Sequence, residues 1–173
     1  MSFINLNDQG NVYAPGYFLA HEECVRETRE IAQDSALVQT AADGAKYVPM
    51  GTAYPTNDGN AIGIVYEDVD VTTGNMPGSV VTNGVVIEDR LAITGASYSS
   101  VTPETGDNPA EKGWYERSGS SPNYVYTLTD DTTVTQGTTY YARSDVRLAS
   151  AAKTALAGKG FTFVTEPAVT RPY

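Results

Sequence analysis

The chain has 173 residues, with 21 Asp and Glu against 11 Lys and Arg, for a net charge of -10. So acidic a surface argues against nucleic acid as a partner, because phosphate binding rests on a basic surface that releases counterions. An anionic membrane surface is disfavoured for the same reason. At 40% apolar and 18% charged residues the chain can bury a core, and its 16 Gly, 9 Pro and 12 Tyr suit turns and aromatic strands better than helical bundles.

Cys24 is the only cysteine, so an intrachain disulfide is excluded and the fold rests on its core, on assembly, or on both. Residues 1–20 lack a basic start and an unbroken apolar stretch, so no signal peptide is expected. Nothing approaches the roughly 20 apolar residues of a membrane span. Synthesis in the cytosol is the expectation.

In chain order, residues 1–17 form a polar N-terminal arm interrupted by Gly10, Pro15 and Gly16. Its aromatic residues Phe3, Tyr13 and Tyr17, with Phe18 just beyond, suit an arm that orders on a partner; a solvated tail is the alternative. From His21 to Gln33, helical and alternating patterns compete, and the alternation favours a strand. Residues 36–40 read as a short strand, joined by the Asp43-Gly44 turn to Lys46-Tyr47-Val48-Pro49 as a hairpin. Ala61-Ile62-Gly63-Ile64-Val65-Tyr66 is apolar on both faces, as a doubly covered strand requires. Thr73–Gly78 reads as a turn, and Asn83-Gly84 between β-branched runs predicts a hairpin. Four strands in so short a stretch suggest a compact β roll or small barrel.

After Leu91 the aliphatics thin out. Gly95 to Gly137 is rich in Ser, Thr, Gly, Asp and Tyr, with strand candidates at 113–116, 124–128 and 138–142. Trp114 would anchor a small aromatic-cored β module there. Residues 147–157 carry Leu148, Ala152, Ala155 and Leu156 on one helical face, with Gly158 at the C-cap position and Ser144 or Asp145 as N-cap. Phe161–Val164 reads as a closing strand, and the tail with Pro167 and Pro172 as irregular. The class is mainly β with one C-terminal helix.

Tests for chemistry come back empty. His21-Glu22 has Val25 where a zinc-protease helix needs its second histidine, and one His with one Cys makes a poor transition-metal set. Glu67-Asp68-Val69-Asp70 crowds carboxylates, but counting from Asp68, Thr73 and Ser79 stand where a calcium loop needs Gly and Glu. Gly158-Lys159-Gly160 lacks the rest of a phosphate loop. The expectation is no enzyme, no metal and no cofactor.

The stretches Lys46–Pro49, Tyr54-Pro55, Asn57-Asp58-Gly59, Ala61–Thr72, Pro77–Val81, Gly84–Val86 and Glu88–Leu91 resemble the head decoration and head fibre proteins of tailed bacteriophages. Ala151–Leu156 and Gly160–Phe163 look like the C-terminal end of the same family. Between them, residues 93–146 stand as an insertion. Its Val101-Thr102-Pro103, Asn108-Pro109, Gly113-Trp114-Tyr115-Glu116, Tyr126–Val134 and Gly137–Tyr141 look like a small module recurring in phage structural proteins.

The resemblance implies a β-roll of the β-tulip type, discontinuous over 18–92 and 147–173, that sits on the outside of a phage head, commonly as a homotrimer. Its partner would be the major capsid protein and its place the virion surface. Phe3, Tyr13, Tyr17 and Phe18 are the candidate capsid-binding residues, by addition of the arm to a capsid sheet edge. Trp114, Tyr115, Tyr140 and Tyr141 are candidate outward-surface aromatics, joined by Tyr124 and Tyr126 in a stacking platform for a host-surface glycan. That second reading, a virion-surface adhesin or glycan-binding module, competes with the plainer one in which these rings form the module's own core.

Overall fold

A computed structural model describes residues 13–166. The fold is mainly β, with 38% strand against 7% helix and one α-helix near the C-terminus. The described strands do not close into a barrel. The chain divides into two compact units, one made of the flanking stretches up to Thr94 and from Arg147 onward, the other Gly95–Val146.

The flanking body contains β1 (Val25–Ile31), β2 (Gln39–Thr40), β3 (Lys46–Val48), β4 (Ala53–Tyr54), β5 (Gly63–Val65), β6 (Val69–Asp70), β7 (Met76–Asn83) and β8 (Val85–Ile87). Its central sheet has the order β1-β7-β5-β4, with antiparallel neighbours. A β-strand turns alternate side chains to opposite faces, and where β5 pairs with β7 both faces are covered. Ile64 and Val81, paired across β5 and β7, join Phe18, Ala53, Val86, Leu91, Leu156 and Phe161 in one core cluster. The next pair, Val65 and Val80, joins Ile31, Val48, Val69 and Val71 in a second. The two-sided apolar run at 61–66 is explained by that double covering.

The second cluster is capped by the small β2-β3-β6 sheet, whose β2–β3 reversal closes on an Ala41 N–H to Ala45 carbonyl bond of 2.8 Å. Residues 36–38, expected to extend this strand, instead turn: the Val38 N–H donates to the Ser35 carbonyl at 3.1 Å. Met76, Pro77 and Gly78, expected as turn, begin β7 and pair with β1. The carbonyl of Glu30, opposite Pro77, takes a 3.0 Å bond from the Tyr54 hydroxyl.

The Asn83-Gly84 hairpin does not form. The type I′ reversal that Asn-Gly favours needs positive φ at both positions, yet no described non-glycine residue has positive φ and Gly84 is nearly extended at 159°. The chain therefore runs on, leaving the central sheet after β7. β8 pairs in parallel with β13 (Thr162–Val164), so the segment after the helix returns to lie beside it.

The helix α1 spans Ser150–Ala157 and buries Ala152 and Leu156. Ser144 and Asp145 are not its cap, because they lie in β12 (Tyr140–Val146). The cap comes from elsewhere in the body: Asn57 Oδ1 accepts from the Ala149 N–H at 2.9 Å. Gly158 ends the helix in a right-handed conformation, and Gly160 (φ 95°) takes the left-handed one. Pro167 and Pro172 lie outside the described residues.

The Gly95–Val146 unit is one antiparallel sheet in the order β11 (Asn123–Leu128), β10 (Tyr115–Ser120), β12, β9 (Gly95–Ser100). Its first and last residues face each other, Gly95 opposite Val146. In the body, the flanking residues are also held together: the Thr94 hydroxyl donates to the Arg147 carbonyl at 3.1 Å, and Asn57 Nδ2 reaches both. The inserted stretch therefore leaves and rejoins the body at one point.

Candidate functional site

Two groups of aromatic residues are the places to examine for binding. The first is the lead-in to the body. Phe3 lies outside the described residues. Tyr13 is 41% exposed and stacks on Tyr17, ring centroids 4.3 Å apart. Arg90 lies over the other ring of this pair, 4.5 Å from the Tyr17 centroid, and its Nη1 donates to the Tyr17 carbonyl. Glu166 holds the same guanidinium from the C-terminal side and raises its affinity for its proton.

Phe18 is not a surface contact. It is fully buried in the body's larger cluster, and its carbonyl takes the Ile87 N–H at 2.7 Å. The backbone enters this position through Gly16, at φ 77°, where a Cβ would stand 2.4 Å from the Tyr66 ring. The Gly16 N–H donates to the Tyr66 carbonyl at 2.8 Å. Gly16 to Phe18 thus belongs to the body rather than to an arm, and of the four candidate capsid-binding residues only Tyr13 is an exposed described one.

The second group is in the Gly95–Val146 unit. Cross-strand partners and alternate residues share a face. Tyr115 stands opposite Tyr141 and Leu128, Arg117 opposite Tyr126, and Arg143 opposite Tyr98. Five tyrosines (98, 115, 124, 126 and 141) and two arginines (117 and 143) therefore lie on a single face. The rings hold one another: Tyr98 and Tyr126 stack at 3.9 Å and 2°, with Tyr115 and Tyr141 edge-on to them. The Arg117 guanidinium lies 4.3 Å from the Tyr124 centroid and 5.1 Å from that of Tyr141. Arg143 is committed to Tyr115 and to Asp145 at 3.0 Å, and both hold it protonated.

The opposite face carries the unit's buried core. Tyr140 is fully buried against Trp114, and its hydroxyl donates to Asp131 and accepts from the Thr135 N–H at 3.1 Å. Tyr140 on this face and the nearly buried Tyr141 (7% exposed) on the tyrosine face are therefore not outward-surface aromatics. They are core, because a module with few aliphatics must bury its rings. Trp114 and Tyr115 are half-buried, and Tyr124 is 40% exposed. Tyr98, at the centre of the stack, is not marked as a strand residue by its sequence. Its strand, Gly95-Ala96-Ser97-Tyr98-Ser99-Ser100, lacks the β-branched residues that mark strands.

Two of the carboxylates crowded at 67–70 are taken up by backbone N–H groups. Asp68 Oδ1 accepts the Met50 N–H at 2.7 Å. Asp70 accepts the Thr72 N–H at 2.8 Å, and the Thr72 hydroxyl and N–H hold its carboxyl below the usual range. Among the described residues, no three His, Cys, Asp or Glu side chains are grouped to hold a metal ion. No helix among them is long and apolar enough to cross a membrane. No family model, no curated protein and no solved structure matches this chain.

Proposed function

We propose that this is a non-enzymatic phage head decoration protein, a β-roll body that binds the outer surface of an assembled capsid and reinforces it, carrying an outward module. The observation that carries the reading is where the decoration-like stretches fall. Ala61–Thr72, Pro77–Val81 and Gly84–Val86 supply β5, β6, β7 and β8, while Ala151–Leu156 and Gly160–Phe163 supply α1 and the start of β13. Two separated pieces of sequence thus form one core, from which the intervening unit departs and returns at Thr94 and Arg147.

Adhesion to a lattice needs a contact repeated over many copies, and a ligand selective for the assembled state stabilises that state by mass action. The contact we assign to the capsid runs from the start of the chain to Tyr13. Deleting residues 1–12 leaves Tyr13 to Phe18 in the chain and tests that contact. The full chain should co-sediment with expanded heads of its cognate capsid protein, and the deletion should stay in the supernatant. Full chain that never pellets with heads rejects the decoration reading; a deletion that still pellets rejects only the contact.

One observation favours the adhesin reading of the module: Arg117 lies across two tyrosine rings, on a sheet face with Tyr124 exposed. Such a face can stack on sugars. A glycan array probed with the full chain tests it, and loss of any signal in Arg117→Ala would tie binding to this face.

A further inference from the structure

We infer that β1 is a self-recognition edge, through which two copies of this chain pair antiparallel about a two-fold axis at Thr28. This inference is independent of the functional reading. β1 ends the central sheet, with β7 on one side and no described strand on the other. Its residues from Val25 to Glu30 are all exposed. A long exposed edge is a template for another strand, and proteins commonly blunt it with like charges, usually lysine.

The charges of β1 do something else. Its sequence is Val25-Arg26-Glu27-Thr28-Arg29-Glu30-Ile31. Laid antiparallel on itself about Thr28, it sets Arg26 opposite Glu30 and Glu27 opposite Arg29, and the two-fold axis repeats both pairs. All four charged positions then meet the opposite sign. Every neighbouring register fails this test. Slips of two residues set Glu27 opposite Glu27, or Arg29 opposite Arg29. Slips of one set Arg26 opposite Arg29, or Glu27 opposite Glu30. Opposite charges across a strand pair stabilise it and like charges directly opposite destabilise it, so the pattern selects one register and one partner.

Alternation also sorts the pairs by face, Glu27 with Arg29 on one and Arg26 with Glu30 on the other. Within one chain, Arg29 already reaches Glu27 along the strand. Pairing exchanges that contact for the same contact across the axis, and the exposed backbone edge gains its ladder. A partner of uniform charge would find no such match, which leaves a second copy as the occupant.

The test uses the full chain and two charge reversals, Glu27→Arg and Arg29→Glu, read by sedimentation over a concentration series. The wild type should show assemblies of an even number of chains, the smallest at twice the 18.5 kDa chain mass. Each reversal alone sets like charges opposite at two places and should weaken pairing by at least about tenfold. Mixed in equal amounts, the two variants become complementary to each other and should recover the paired mass. The double variant E27R/R29E should pair like the wild type. Because the two positions are exposed, folding is expected to survive, and recovery on mixing proves that it has. A wild type that is monomeric, or trimeric without two-fold pairing, overturns the inference. So do single variants that pair as well as the wild type, or a mixture that fails to recover.

Discussion

The body and the Gly95–Val146 unit bury different material. The body covers both faces of its β5–β7 pair with Val, Ile, Leu and Phe, each worth about 1.5–3 kcal/mol when fully buried. The inserted unit buries Tyr140, Tyr141 and Thr129 and little else. It makes up the difference with rings stacked on one face and a hydrogen-bonded centre on the other. There Asp131 takes the Tyr140 and Thr135 hydroxyls, and Glu116 takes the Thr129 hydroxyl at 2.6 Å. Tyrosine suits this role, since its ring packs like an aliphatic while its hydroxyl must still find a partner. A unit so built is specified by directed contacts, where the body is specified by volume.

The sharpest way to break this comparison is to open the body's core. Phe18→Ala removes a fully buried ring from the larger cluster and should cost about 3–5 kcal/mol. Trp114, the only tryptophan, lies in the inserted unit and reports on it alone. Thermal melts should therefore show an early loss of far-ultraviolet circular dichroism while the tryptophan fluorescence transition stays put. If both move together, the units unfold as one and the comparison loses its meaning. The reciprocal change is smaller. Tyr140→Phe keeps the ring but takes one of its two hydroxyl donors from Asp131 and strands the Thr135 N–H, at a cost of about 1–2 kcal/mol. Here the fluorescence transition should fall and the body's should not. A fluorescence midpoint that stays put would mean the unit is held by packing after all.

The contrast also explains what could be read from the residues alone. Where burial is two-sided and aliphatic, as at Ile64-Val65 and Val80-Val81, hydrophobic pattern located the strands, and the helix face of Ala152 and Leu156 was equally plain. The Asn83-Gly84 turn misled because local turn preference lost to a parallel pairing with Phe163, far along the chain. Phe18 looked like an arm residue because its burial depends on Val86 and Leu91, which no local window contains. A change of composition after Leu91 was visible, but the tyrosine face of the stretch that follows was not. Which rings share a face follows from register, and Arg143 meets Tyr98 only through the β9–β12 pairing. The self-complementary charges of β1 were in plain view, but they acquire meaning only once β1 is known to be an edge.

The smallest expected effect concerns a charge that tightens a loop of the inserted unit. Asp107 accepts from Lys112 Nζ at 2.5 Å and from the Glu104 N–H at 2.8 Å, and both hold its carboxyl below the ordinary 3.8. A carboxylate depressed in the folded state is protonated first in the unfolded chain, so acid favours unfolding. Its contribution is complete above pH 3.8 and fades as the pH falls through the lower folded value. Asp107→Asn should accordingly lower the fluorescence midpoint of the unit slightly at pH 7, with the body's dichroism unchanged. The gap between variant and wild type should narrow as acid is added below pH 3.8. A gap that holds constant with pH would assign the loop's stability to the Asn108 side chain instead, whose Oδ1 accepts the Glu111 N–H, and directed charge would no longer distinguish this unit from the body.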